Sequence, residues 1–152
     1  MRRFLIGIAL VLAPALVHAE TQYGLTVIVH NHLSSALIYK TQSVKPSRLS
    51  VPEKAVTPGW IGVLYSSRGS TTGLAGSVEW DARISKGPGK GSETLTVELH
   101  LDIGPNGNRA SCDITSDVLK SVSCSASAEP KSCKDAPDQD CDVEIRVNVG
   151  RR

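Results

Sequence analysis

The chain has 152 residues, of which 40% are hydrophobic and 21% are charged, and its 17 basic and 15 acidic residues give a formal net charge of +2. This length suits one domain with a short leader, and so small a charge excludes the basic footprint of a nucleic-acid-binding protein. Because only 4% of the residues are aromatic, the core has to be built from Val, Leu, Ile and Ala.

Residues 1–19 have the pattern of a secretory signal peptide. A basic pair, an uncharged apolar run and a small-residue cleavage site follow one another as Arg2-Arg3, Phe4–Leu12 and Val17-His18-Ala19. The apolar run is too short to span a bilayer. Cleavage after Ala19 removes two arginines and no acidic residue, which leaves residues 20–152 as a single, formally neutral domain. We therefore expect a secreted or periplasmic protein without a transmembrane segment.

Alternation of apolar and polar residues predicts strands through most of the domain. The alternation is clean in Ser77–Ile84, Thr94–Asp102 and Asp142–Val149, and we expect further strands at Leu25–His30, Ser35–Thr41, Trp60–Ser66 and Arg109–Thr115. Alternation marks a strand with one buried face, so Trp80, on the apolar side of its segment, is expected in the core. Gly- and Pro-rich turns separate the segments. The predicted fold is all-β, an antiparallel β-sandwich of about seven strands.

Two segments near the C-terminus lack strong alternation. Ser116–Val122 is short and rich in serine, and it is the only stretch that suggests a helix. Ser125–Asp140 is rich in Ser, Ala, Pro, Asp and Lys, which is typical of a surface loop.

All four cysteines lie in the last third of the chain, at Cys112, Cys124, Cys133 and Cys141. An even number of cysteines in an exported chain predicts disulfides. Their spacings are longer than those of paired zinc ligands. Three connectivities are possible, and we favour the pairing of neighbours, Cys112 with Cys124 and Cys133 with Cys141. The C-terminal region would then be stapled by two disulfides, with no thiolate left as a nucleophile.

No catalytic or cofactor motif is recognisable. His30, His32 and His100 are of a type that binds zinc or copper, but the residues after His32 indicate that the strand ends there, which would separate the first two. The acidic run 135–142 lacks the glycine and glutamate of a calcium loop. Gly87–Ser92 lacks the spacing of a phosphate-binding loop, and no G-x-S-x-G motif occurs. We expect no metal, no cofactor and no enzymatic activity.

Four motifs in the middle of the chain resemble those of the aegerolysin and bacterial crystal-toxin-like β-sandwich proteins. They are Val27-Ile28-Val29-His30-Asn31, Val56-Thr57-Pro58-Gly59, Gly73-Leu74-Ala75-Gly76-Ser77-Val78-Glu79-Trp80 and Pro105-Asn106-Gly107-Asn108. The resemblance covers most of residues 25–115. It implies a sandwich that binds a membrane lipid or a cell-surface partner, as part of a cytolytic system. Most of the tryptophans of the lipid-binding members have no counterpart here, and the four-cysteine region is an addition.

Trp60 and Tyr65 are the candidate membrane contacts. Trp60 follows the Pro58-Gly59 turn, and an indole at a strand end suits a membrane interface because it combines an apolar body with an N–H donor. The alternative for Trp60 is that it covers the core beneath the turn. The alternative function is a soluble periplasmic protein-interaction module, such as an immunity or accessory protein.

Overall fold

A computed structural model describes residues 20–66, 69–116, 121–134 and 140–151 of the chain. The expected signal peptide and most of the expected helix at Ser116–Val122 lie outside these ranges. The strands are β1 (Tyr23–Asn31), β2 (Leu37–Gln42), β3 (Leu49–Ser50), β4 (Ala55–Val56), β5 (Ile61–Ser66), β6 (Leu74–Ser85), β7 (Ser92–Gly104), β8 (Gly107–Thr115), β9 (Val122–Glu129) and β10 (Cys141–Arg151). Within the described ranges, no helix is long and apolar enough to cross a membrane.

The strands form two five-stranded sheets that pack as a sandwich. Sheet A has the order β3-β5-β1-β10-β9, and sheet B has the order β4-β2-β6-β7-β8. The predicted all-β sandwich is confirmed, with one correction: β1 and β10 pair in parallel, whereas the other pairs are antiparallel. Parallel neighbours cannot be joined by a hairpin. Here they are the first and last strands, and the rest of the domain connects them.

The seven predicted strands correspond to β1, β2, β5, β6, β7, β8 and β10. The additional strands β3 and β4 have two residues each, which is too short for a period of two to be visible. Strand β9 occupies part of the segment predicted as a loop, so that prediction was wrong up to Glu129. Its inward side consists of Val122, Cys124, Ala126 and Ala128 between serines. These side chains alternate with the serines, but most of them are small and differ little from serine in hydrophobicity.

The core lies between the inner faces of the sheets. Val27, Val29, Ile145 and Val147 of sheet A are fully buried, as are their counterparts in sheet B. Trp80 is 1% exposed, which confirms that the apolar side of its strand faces inward as predicted.

The two disulfides follow the predicted pairing. Cys112 of β8 is bonded to Cys124 of β9, and because β8 and β9 are edge strands of opposite sheets, this bond closes one side of the sandwich. The Cys133–Cys141 bond ties the segment after β9 to the start of β10. The other side of the sandwich is flanked only by the short strands β3 and β4. The fold therefore has one cross-linked side and one side with very short edges.

Several residues of the family-like motifs serve the fold. A Cβ at Gly73, where φ is +90°, would lie 2.0 Å from the Ile103 carbonyl oxygen. The buried Asn108 side chain donates to the Pro130 carbonyl at 2.8 Å and accepts from the Gly104 N–H at 3.2 Å. These positions are constrained by packing and hydrogen bonding. The motifs therefore account for the sandwich fold and do not identify a ligand.

Candidate functional site

The outer face of β5 carries an exposed row of apolar side chains. Gly62 and Leu64 point to the core, whereas Ile61, Val63 and Tyr65 are 50%, 41% and 43% exposed. Trp60, directly before the strand, is 71% exposed, so the interpretation that it covers the core is wrong. We call Trp60, Ile61, Val63 and Tyr65 the apolar column. In the described part of the chain, Ile38 on sheet B is the only other exposed large apolar side chain.

A turn fixed by Asn31 positions Trp60 at the end of β1. The Trp60 N–H donates to the Thr57 carbonyl at 3.1 Å, and the Gly59 N–H donates to the Asn31 carbonyl at 2.8 Å. The Asn31 N–H in turn donates to the Trp60 carbonyl at 3.2 Å. The buried Asn31 side chain donates to the Val56 carbonyl at 2.7 Å and accepts from the Leu33 N–H at 3.0 Å. Buried polar groups satisfied in this way hold a loop rigidly, so Trp60 projects from a fixed support.

The apolar column also borders an open sheet edge. Strand β3 pairs with β5 only at Tyr65 and Ser66. Along Ile61–Leu64, none of the strands that the structure describes pairs with the other edge of β5. The column therefore sits at a corner of the sandwich, where both a sheet face and a sheet edge are accessible.

Charge varies along the outer face of sheet A. At the Trp60 end, His30 lies opposite Ile61 on one side and Asn148 on the other. In the next row, Ile28 lies between Val63 and Arg146. Carboxylates begin one row further, where Thr26 lies between Tyr65 and Glu144, and Glu144 is paired with Glu129. The Trp60 end is thus neutral or basic, and the Tyr65 end is acidic.

A polar pocket of about 400 Å³ opens at the Tyr65 end, and its lining includes Tyr65, Gln22, Asp140 and Asp142. A Cβ at Gly24 would lie 2.3 Å from the Asp142 Oδ1, so glycine leaves the space that this carboxylate occupies. Within the described ranges, neither aspartate forms an ion pair. Carboxylates only accept hydrogen bonds when ionised, which makes the pocket suited to a polar group that carries donors.

The histidines are arranged differently from the expectation. The His32 N–H donates to the Val149 carbonyl at 2.8 Å, which extends the pairing with β10 beyond Asn31. As a result the rings of His30 and His32 stay on one face and stack, with centroids 6.2 Å apart and planes 12° apart. His100 lies on sheet B near Asp113 and Glu98, so the three histidines do not converge. The described residues contain no group of three or more His, Cys, Asp or Glu side chains placed to hold a metal ion.

Ile61 and Val63 are the members of the apolar column that the sequence analysis did not assign. The signal for them is that residues 60–65 are apolar at both odd and even positions, which is the longest such run among the predicted strand segments. A continuous apolar run usually indicates a strand buried on both faces. The assembled sandwich shows that one of these faces is turned away from sheet B and exposed.

No protein-family model matches the sequence, and no curated protein is significantly similar to it. Among solved structures, the chain is similar to the lipid-binding protein Nakanori, known from a crystal structure at 1.5 Å, with a TM-score of 0.59 and 10% sequence identity. The match covers 84% of this chain and 71% of that chain. At this identity the similarity shows a shared β-sandwich fold.

Proposed function

We propose that this chain is an exported, non-enzymatic lipid-binding protein that contacts a membrane surface through the apolar column. The observation that carries the proposal is the exposure of Ile61, Val63 and Tyr65 on β5 together with Trp60 directly before it. Contiguous exposed apolar side chains on a soluble domain indicate a contact surface. The chain shares its fold with the lipid-binding protein Nakanori, and that similarity supports a lipid as the partner.

The geometry at Trp60 suits insertion into the interfacial layer of a bilayer. An aromatic ring that buries about 100 Å² at ~25 cal/mol per Å² contributes about 2.5 kcal/mol. Loss of that contribution would weaken partitioning between roughly ten- and a hundredfold. Because the turn is fixed by Asn31, the backbone that carries Trp60 does not have to be ordered on binding.

Charge contributes little to this contact at neutral pH. The expected mature domain has no net charge, so binding there should depend weakly on salt and should be selective for a head group. An aegerolysin-like role in a cytolytic system is part of the proposal and rests on the sequence motifs. Export rests on residues 1–19 and agrees with the two disulfides, which persist in oxidising compartments.

Flotation of the oxidised domain, residues 20–152, with vesicles of varied composition tests the proposal. We expect wild type to float with at least one composition and Trp60→Ala to lose most of that binding while it remains folded. Ile61→Ser and Ile38→Ser form a matched pair, since the two side chains are 50% and 47% exposed on opposite sheets. Ile61→Ser should weaken flotation and Ile38→Ser should not. Equal effects of the two isoleucine variants would contradict a contact through the column.

A soluble protein-interaction module is the second candidate, and the open edge of β5 favours it. An unpaired strand edge can accept a strand from a partner protein, and the column would then line the added strand. Failure of wild type to float with any vesicle composition would replace the lipid proposal with this one.

A further inference from the structure

Two imidazoles lie beside the apolar column at the Trp60 end. The rings of His30 and His32 stack with centroids 6.2 Å apart. His30 lies opposite Ile61 of the column. Between the two histidines, the Asn31 N–H donates to the Trp60 carbonyl. The histidine pair and Trp60 therefore lie together at one end of sheet A.

The neighbouring strands place no carboxylate against these rings. On β5, the register partner of His30 is Ile61, and on β10 it is Asn148. Gly150 lies under His32, where an added Cβ would be 3.1 Å from the His32 Cβ. The nearest facing charge on β10 is Arg146, one row away, and its guanidinium contacts Glu144.

The segments that flank this end add little negative charge. The loop 33–36 carries no charged residue. Arg151, at the end of β10, is exposed. Glu53 and Lys54 precede β4 and contribute one charge of each sign. Among the described residues of these elements, no carboxylate faces either imidazole. The positive charge of a protonated ring is therefore exposed to solvent.

We propose, on the basis of the proposed lipid contact, that the His30–His32 pair binds the anionic head groups of a phospholipid bilayer when it is protonated. Imidazole is the side chain whose charge changes between about pH 5 and pH 8. Two adjacent cations with no facing carboxylate are complementary to phosphate, and a phosphate over both rings offsets the repulsion between them. Trp60 then enters the interfacial layer beside them. Acidification adds positive charge to the Trp60 end of sheet A, which then attracts anionic lipid.

The size of the effect follows from surface electrostatics. A cationic side chain near an anionic bilayer strengthens binding roughly fivefold, so the pair should give roughly thirtyfold. This gain should appear only with anionic vesicles, and it should be lost in high salt, because salt screens exposed charges.

The test is flotation at about pH 5.5 and about pH 7.5, a range that spans the titration of imidazole. The vesicles are phosphatidylcholine alone and phosphatidylcholine with phosphatidylglycerol, whose charge is constant over this range. Wild type is compared with His30→Gln, His32→Gln and the double variant. His100→Gln is the matched control, since His100 lies on sheet B beside Glu98 and Asp113. Far-ultraviolet circular dichroism checks that each variant is folded.

We expect acidification to strengthen wild-type binding to the anionic vesicles only. Each single variant should lose part of this gain, the double variant should lose nearly all of it, and His100→Gln should behave as wild type. If the double variant does not fold, the partial losses in the single variants test the same contact. A gain that persists without both histidines, or that also occurs with phosphatidylcholine alone, would overturn the inference. Binding that is independent of pH, or no flotation with either composition, also overturns the inference. Neither result removes the proposed function, which fails only if wild type floats with none of the varied compositions.

Discussion

The two tryptophans should differ sharply in what they contribute to stability. Trp80 lies on β6, between Tyr39 of β2 and Val97 of β7, and is 1% exposed. Truncation of a buried aromatic removes its transfer free energy and leaves a cavity, so Trp80→Ala should lower the free energy of unfolding by about 3–5 kcal/mol. Trp60→Ala removes a side chain that is mostly in solvent, so its effect should stay within about 0.5 kcal/mol.

Urea unfolding followed by far-ultraviolet circular dichroism measures both variants without relying on either indole. Fluorescence adds a second readout: in Trp60→Phe the remaining Trp80 should emit at short wavelength and resist quenching, and in Trp80→Phe the remaining Trp60 should do the opposite. An equal loss of stability in the two alanine variants would refute the assignment of Trp80 to the core and of Trp60 to the surface. So would ready quenching of Trp80 on its own.

The disulfides and one glycine give two further predictions. Native protein should have a mass lower than that of the reduced chain by about four hydrogens, two for each bridge, and free thiols in the native protein would contradict this. The double variant Cys112→Ser with Cys124→Ser should lower the free energy of unfolding by about 3 kcal/mol, because the bond closes a loop between residues 12 positions apart. Gly73→Ala should lower it by at least about 3 kcal/mol in the same urea assay, because strained backbone and a clash with a carbonyl oxygen add together. Gly89→Ala is the control, with φ at +71° and open space around the added Cβ, and should cost only about 1–2 kcal/mol; equal losses would show that the clash is relieved.

The local alternation of apolar and polar residues was sufficient to predict the central strands. Strands β6, β7 and β10 carry Val, Leu, Ile and Trp on one side and charged residues on the other, and their predicted segments needed extension only at the ends. Strand β9 was missed because its inward residues are mostly Ala and Cys, whose burial contributes less than that of Val or Leu. The parallel pairing of β1 with β10 joins the two ends of the domain, and nothing within either segment specifies that partner.

The candidate site was only partly predictable, for a related reason. Trp60 and Tyr65 stood out as aromatic residues in a chain with few of them. Ile61 and Val63 did not, since an apolar residue in a strand is normally a core residue. They are exposed because they lie on the face of β5 that is turned away from sheet B. The two-residue length of β3 also leaves most of one edge of β5 uncovered, and both are properties of the assembled sandwich.

The charge on the opposite face of the sandwich bears on how the domain would approach a bilayer in the proposed contact. On sheet B, Glu79, Glu98 and Asp113 lie side by side in one row across β6, β7 and β8. Like charges directly opposite one another are unfavourable. The row is flanked by Lys40, at 3.6 Å from Glu79, and by His100, at 3.7 Å from Glu98 and 3.6 Å from Asp113. A surface of this kind is repelled by anionic lipid.

The same reasoning applies within sheet A, where the carboxylates gather at the Tyr65 end. Asp142 and Glu144 lie on the outer side of β10 there, about 13 Å or more along the strands from the row of His30. For the proposed lipid contact, both gradients favour one orientation, with sheet A towards the lipid and the Trp60 end nearest to it. In that orientation the apolar column would supply the contact, and the carboxylates over the rest of the domain would restrict it to that corner.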